Sequence, residues 1–291
     1  MSGPLLTHSK VTADGATPSA WVVFLHGVFG MGLNLRTLAK AVVDERPAWG
    51  ALLVDLRGHG ANPPFPPPHT LATASADVGR LVSALGLSAP VIVGHSLGGK
   101  TTLAYAKQFP GTLRRAVVLD AMPGARPADA ATGLSRSVLH FLESLPRTMA
   151  SREEFTRAAR DAGFTATVVE WLAMNVRRAP DGSFALRLDL PAIRAMLVDY
   201  YHQDLWEVVE DASYVEELDL VIAGASAHYA PADRERAEQG ARSRNGMKVH
   251  VVEGAGHWLH VDAPDAVRAR IREALDGVAA PGKVCDTRPT P

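Results

Sequence analysis

Ser96 sits in Gly94-His95-Ser96-Leu97-Gly98, with Gly99 and Lys100 behind it. This is G-x-S-x-G between an apolar run and a helical one, the context in which a serine hydroxyl becomes a nucleophile. The reason is steric. A serine on a sharp strand-to-helix turn has a strained backbone, so positions 94 and 98 must be small to let the chain pass. The turn lifts the hydroxyl out of the sheet, and the next helix aims backbone N–H groups at it. A second stretch, His26-Gly27-Val28-Phe29-Gly30, follows the first long apolar run. Such a loop can turn a backbone N–H toward Ser96. With the N–H of Leu97 it would make an oxyanion hole, the donor pair for a tetrahedral intermediate. Val28 is the first choice for that donor and Phe29 the next. A third stretch, Gly254-Ala255-Gly256-His257-Trp258, follows the last apolar run. Of the 11 histidines, His257 is best placed to reach a serine from a loop at the end of a neighbouring strand. His260 competes with it. His26 reads as support for its loop, and His95 is expected to point away from Ser96. His257 and His260 lack further ligands at metal spacing, so no metal site is read there.

A histidine base needs a carboxylate to fix its tautomer and stabilise the imidazolium. Asp120 is the candidate by geometry. From Ser96 a helix of about 13 residues descends roughly 20 Å. The strand returning to Asp120 climbs on the order of 25 Å, back to the edge that holds Ser96. Asp219 starts its strand and belongs at the opposite edge. Glu253, just before the histidine loop, is a second choice. The other role open to Asp120 is a cap for the turn that follows it.

The elements that must position these residues are readable as alternation. Apolar runs at 21–26, 51–56, 90–95, 114–120, 218–224 and 248–254 lack polar alternation and read as strands. Segments 33–46, 73–86, 97–109, 231–242 and 264–275 carry helical spacing. Buried strands separated by helices predict a parallel sheet covered on both faces. From 122 to 215 the alternation stops and the reading is mostly helical. Ser151 followed by Glu154 is a capping box there, with Gly163 closing the helix. Aromatic bulk collects in this segment, including Trp171, Tyr200, Tyr201 and Trp206. Its ordinary role is helix packing, and its functional role is a pocket lining. Phe29, Trp206 and Trp258 are taken as substrate-contacting residues. Residues 62–69 (NPPFPPPH) predict a stiff extended loop.

Taken together, LHGVFG, VDLRGHG at 54–60, VGHSLGGK at 93–100 and GAGHWLH at 254–260 resemble the α/β-hydrolase family. The likeness runs over about 1–276. It is narrower toward small esterases related to abhydrolase-domain lipid hydrolases and bacterial acyl-ester esterases. The resemblance implies a mostly parallel α/β-hydrolase sheet flanked by helices, with a helical lid inserted after the sixth strand in the family's count. The expected organisation is a core at 1–121, a lid at 122–215, a second core segment at 216–276 and a flexible tail at 277–291. In much of the family the acid follows the seventh strand. Here that turn reads Gly224-Ala225-Ser226-Ala227-His228, without a carboxylate. The implied activity is a serine hydrolase acting through an acyl-enzyme. A serine nucleophile excludes the dehalogenase and epoxide-hydrolase chemistries that use an aspartate there.

The composition agrees with an enzyme of small molecules. In 291 residues, Lys plus Arg number 30 and Asp plus Glu 31, for a net charge of −1. No basic footprint for nucleic acid is present. One cysteine, Cys285, excludes an internal disulfide or a cysteine-built metal cluster. No export signal and no apolar run of membrane-spanning length is read, so a cytoplasmic location without stable membrane insertion is expected. The expected substrate is a carboxylic ester of a small to medium acyl or aryl group, with no cofactor and no metal. A thioester such as an acyl-CoA is the alternative, with Arg177–Arg178 as a basic patch. A low-turnover binding protein is the alternative from another class. Oligomeric state is left open.

Overall fold

The computed structural model describes residues 3–126 and 133–277. The predicted tail, with Cys285, lies outside the described residues. In chain order the strands are β1 His8–Val11, β2 Ala20–Leu25, β3 Trp49–Val54, β4 Val91–His95, β5 Arg115–Leu119, β6 Val176–Arg178, β7 Phe184–Leu186, β8 Glu217–Ala223 and β9 Met247–Val252. The helices are α1 Arg36–Glu45, α2 Leu71–Ala84, α3 Leu97–Gln108, α4 Gly133–Ser144, α5 Arg152–Asp161, α6 Ala166–Ala173, α7 Leu190–His202, α8 Trp206–Glu210, α9 Pro231–Ser243, α10 Leu259–Asp262 and α11 Pro264–Asp276.

Seven strands form one sheet in the order β1-β3-β2-β4-β5-β8-β9. Only β1 is antiparallel to its neighbour. Burial on both faces explains the apolar runs. Val23 and Leu25 face the side covered by α2, α3, α8 and α9, while Val22 and Phe24 face the side covered by α1 and α11. The order reverses between β2 and β4: the chain leaves β2 toward β3 on one side and returns to β4 on the other. Such a switch point opens a crevice at the C-terminal strand edge. Register places Leu25 beside Gly94 and His95 beside Leu119 at this edge. Hence the loops that follow β2, β4, β5, β8 and β9 meet there.

Between β5 and β8 the chain makes an insertion with its own apolar core, built from Phe141, Phe155, Val169, Leu172 and Ile193 among others. Ser151 accepts the Glu154 N–H at 3.1 Å, as the capping box requires. The return arm, Glu154 Oε2, reaches the Ala150 N–H at 2.7 Å instead of the Ser151 N–H. One feature refines the sequence reading: within the mostly helical insertion lies a small antiparallel hairpin, β6–β7. In this structure's own count the insertion follows the fifth strand among the described residues. The proline-rich loop is anchored from below: the Arg57 guanidinium, paired with Asp77 at 2.6 Å, donates to Pro68 O at 2.8 Å.

Candidate active site

Ser96 occupies the turn from β4 to α3 with φ +52°, ψ −114°. A non-glycine residue there is strained, and the surroundings must hold it. They do so at three points. The Ser96 N–H donates to Leu119 O at 3.0 Å, extending the ladder one step past β4. The Gly98 N–H donates to His26 O at 3.1 Å, tying the helix start to the loop after β2. The chain also passes too closely for side chains: a Cβ at Gly98 would lie 2.3 Å from Leu25 O, and one at Gly94 would lie 2.3 Å from Gly98 O. Phe29 (φ +59°) and Asp120 (φ +42°) share this strained region of backbone, so three of the four non-glycine positive-φ residues described lie at one site.

Asp120 follows β5, fully buried, and its own N–H donates to Val221 O at 2.8 Å. Its carboxylate is saturated with donors. Oδ1 accepts the Ala223 N–H at 3.1 Å. Oδ2 accepts the Ser226 hydroxyl at 2.7 Å and His257 Nδ1 at 2.7 Å. A carboxylate only accepts, so His257 carries its proton on Nδ1 and presents a free lone pair on Nε2. Ser96 and His257 line the same cavity, with His26, Gly27, Val28 and Phe29 on its other wall. Asp219 pairs instead with Arg115 at 2.7 Å, well below the site.

The two expected oxyanion donors are free to act. Among the described residues, neither the Val28 nor the Leu97 N–H has a protein acceptor. Phe29 is different: its N–H donates to His59 Nε2 at 3.1 Å, which removes it as a donor. Its ring lines the cavity, edge-on to Trp171 at 6.3 Å. The loop is held from both sides. Asn175 of the insertion donates to Phe29 O at 2.8 Å. His26 spans Gly27 O at 2.7 Å and the Leu56 N–H at 3.0 Å. Burial pushes His26 down to about 4 and His59 to about 3, so both are neutral hydrogen-bonding struts.

Trp258 lines the cavity and packs on Trp171 at 5.4 Å. Trp206 does not. It is buried under the insertion in the sheet's own core, beneath the Arg236 guanidinium at 4.6 Å. Helix packing claimed it because α8 docks on α3 and α9. His95 supports the histidine loop: its ring lies 4.8 Å from that of His257, and its Nε2 meets His257 O at 2.8 Å. His260 lies edge-on to His95 at 5.0 Å. Burial lowers it to about 4, and its Nδ1 has no partner among the described residues. The cavity, about 40 Å³ and also lined by Gly30, Asn34, Leu35, Leu134, Ser135 and Val138, has room for on the order of three waters.

Sequence reasoning missed four supporting residues: His59, Asn175, Ser226 and His228. His228 stacks on His257 at 3.8 Å and 10° between ring planes. Asp120, His228 and His257 are close enough in number and spacing for a metal. Their geometry opposes one, because nitrogen lone pairs lie in the ring planes and two parallel rings cannot both aim at one tetrahedral ion.

Comparison with known proteins supplies context for this geometry. A family model described as the alpha/beta hydrolase family matches residues 22–270. The sn-1-specific diacylglycerol lipase ABHD11 of Xenopus laevis is 30% identical over 257 residues, covering 86% of this chain and 77% of that protein. Esterase YbfF of Escherichia coli is 27% identical over 266 residues, covering 91% and 96%. Among solved structures, a marine microorganism esterase superposes with a TM-score of 0.80 at 20% identity, covering 92% of this chain and 98% of that one. That last likeness speaks to the fold alone.

Proposed function

The chain belongs to the alpha/beta hydrolase family, and from that premise we propose that it is a serine carboxylesterase working through an acyl-enzyme. The observation that carries the reading is the His257 Nδ1 to Asp120 Oδ2 hydrogen bond of 2.7 Å, in a residue that shares its cavity with the strained Ser96. Relatives named as esterases support the ester as the scissile group.

In this reading Ser96 Oγ attacks the acyl carbonyl while His257 Nε2 takes its proton. Asp120 holds the imidazole on its Nδ1 side and balances the charge that forms. The carbonyl oxygen becomes an oxyanion and accepts from the Val28 and Leu97 N–H groups, which are fixed before the reaction starts. Collapse breaks the ester C–O bond, and His257 returns its proton to the leaving alkoxide. Water then enters, loses a proton to His257 as its oxygen attacks the acyl carbonyl, and collapse breaks the bond to Ser96 Oγ, which takes the proton back from His257 as the acid leaves. The narrow cavity suits a short acyl or aryl group between Phe29, Trp171 and Trp258. The insertion, which supplies Trp171 and Asn175, acts as a lid over the site. Among the described residues no helix is long and apolar enough to cross a membrane.

A thioester is the second reading, favoured by one observation. Arg177 on the insertion is lowered by its burial and by the neighbouring Arg187 and Arg152. None has an ion-pair partner among the described residues, so a phosphate-bearing thiol could lie there.

The test is hydrolysis of 4-nitrophenyl acetate, butyrate and octanoate by wild type and Ser96→Ala. The expected result is turnover that favours acetate and butyrate and falls by roughly 10⁴-fold or more in the variant. Equal rates in both proteins would refute the serine mechanism. Preference for acyl-CoA over the matched ester would move the assignment to a thioesterase, and tight binding without turnover would make it a binding protein.

A further inference from the structure

The turn after β8 is where much of this family places its acid, and here it has no carboxylate. It carries Ser226 and His228, and both serve Asp120 from the side opposite β5. The Ser226 hydroxyl has one proton, which goes to Asp120 Oδ2 at 2.7 Å. Its oxygen accepts the His228 backbone N–H at 3.2 Å and pairs with His228 Nδ1 at 3.0 Å, a contact that is a hydrogen bond when Nδ1 carries the ring proton. That contact fixes the plane of the His228 ring. The ring then lies flat on His257, with centroids 3.8 Å apart and planes 10° apart. From the other side of the turn, Arg126 donates to His228 O, and the Tyr229 hydroxyl donates to Ala121 O at 2.8 Å. The turn is thus fastened to the segment after Asp120 at two further points, and the His228 ring is held in place by its backbone as well as by Ser226.

We propose that His228 is a positioning residue for the hydrolysis, its neutral ring forming a flat support that keeps the His257 imidazole in the Asp120-bonded orientation and faces the imidazolium formed when Ser96 is acylated. The proposal rests on the serine-esterase reading above. The support matters because His257 comes from a loop rather than a helix or strand, and its ring is a quarter exposed. His95 holds the backbone of that loop at His257 O, but a backbone bond leaves the side-chain torsions free. A stacked ring restricts them. It also offers π density to the cation that appears during the reaction, an interaction of the kind a ring face makes with a desolvated charge. Burial and the neighbouring His257 hold His228 down at about 4. The support therefore stays neutral when His257 takes the proton.

The experiment compares steady-state kinetics on 4-nitrophenyl butyrate for wild type, His228→Leu, His228→Phe and Ser96→Ala. It is joined to proton NMR of the downfield His257 Nδ1–H. Leu fills the volume without a flat face, and Phe restores the face without the nitrogen. His228→Leu is expected to lose about tenfold in kcat (about 1.4 kcal/mol) with KM within about twofold, and to broaden the Nδ1–H signal. His228→Phe is expected to return kcat to within about threefold of wild type and to sharpen the signal. His228→Ala gives the same comparison if Leu crowds the turn and the protein fails to fold. Wild-type kcat and signal in His228→Leu, or equal losses in Leu and Phe, would overturn the proposal. Ser96→Ala separates the two levels: an active Ser96→Ala defeats the esterase reading itself, whereas an inactive one beside an unaffected His228→Leu defeats only the role of His228.

Discussion

Asp120 is the residue whose surroundings say most about its role. Three donors converge on a fully buried carboxylate, and one of them is the imidazole that shares a cavity with Ser96. Replacing one oxygen by an amide nitrogen turns an acceptor into a donor and forces His257 into the wrong tautomer. Asp120→Asn is expected to lower kcat by roughly 10⁴-fold. Turnover near wild type in that variant would move the acid elsewhere. Asp120 was legible in the sequence because helix and strand lengths alone return it to the edge of Ser96. Its partners were not. Ser226 and His228 lie more than 100 positions away in sequence, and nothing local to their turn ties a hydroxyl and an imidazole to a carboxylate on another strand. Trp206 misled for the opposite reason: aromatic bulk in an insertion looks the same in a sequence whether it lines a pocket or fills a core.

The loop after β2 shows how elements cooperate. Val28 can present its N–H only if Phe29 is held on both sides, by His59 on its N–H and by Asn175 on its carbonyl. Asn175 comes from the insertion, so the insertion braces the loop that carries Val28. Asn175→Ala is expected to cost about tenfold in kcat, a fraction of the 10²–10³ that follows loss of a whole oxyanion donor. KM for a short ester should change little. Unaltered kcat would show that His59 alone fixes the loop. The sheet that carries this loop was readable because buried parallel strands are unbroken apolar runs. The four-residue edge strand β1 and the three-residue strands of β6–β7 have no such run, and their pairing is decided by neighbours distant in sequence. Nothing local marks Asn175 either, since its importance is a contact with residue 29.

At the scale of the whole molecule, the site is a concentration of histidines kept uncharged by burial. His26, His228 and His260 are pushed down to about 4 and His59 to about 3. In the unfolded chain each titrates near 6.5. Below that pH the unfolded state binds more protons than the native one, so stability falls as pH drops. The stabilisation is complete above about pH 6.5 and is lost progressively toward pH 4. For the fully buried His26 and His59, each contributes on the order of 2 kcal/mol to the loss by pH 5. Urea midpoints measured from pH 8 to pH 4.5 should be flat down to about 6.5 and then decline steeply. A flat profile through pH 5 would mean that these rings are accessible to protons in the native state.

The central claim is that Ser96 is the nucleophile, activated by His257 and Asp120. A fluorophosphonate probe reports this most directly, because it reacts with an activated serine and cannot be hydrolysed off, so the adduct is found by peptide mass mapping whatever the natural substrate. The account predicts one labelled peptide bearing the phosphonate on Ser96, no label in Ser96→Ala and labelling slowed at least a hundredfold in Asp120→Asn. A phosphonate on another residue, or undiminished labelling in Asp120→Asn, would contradict it.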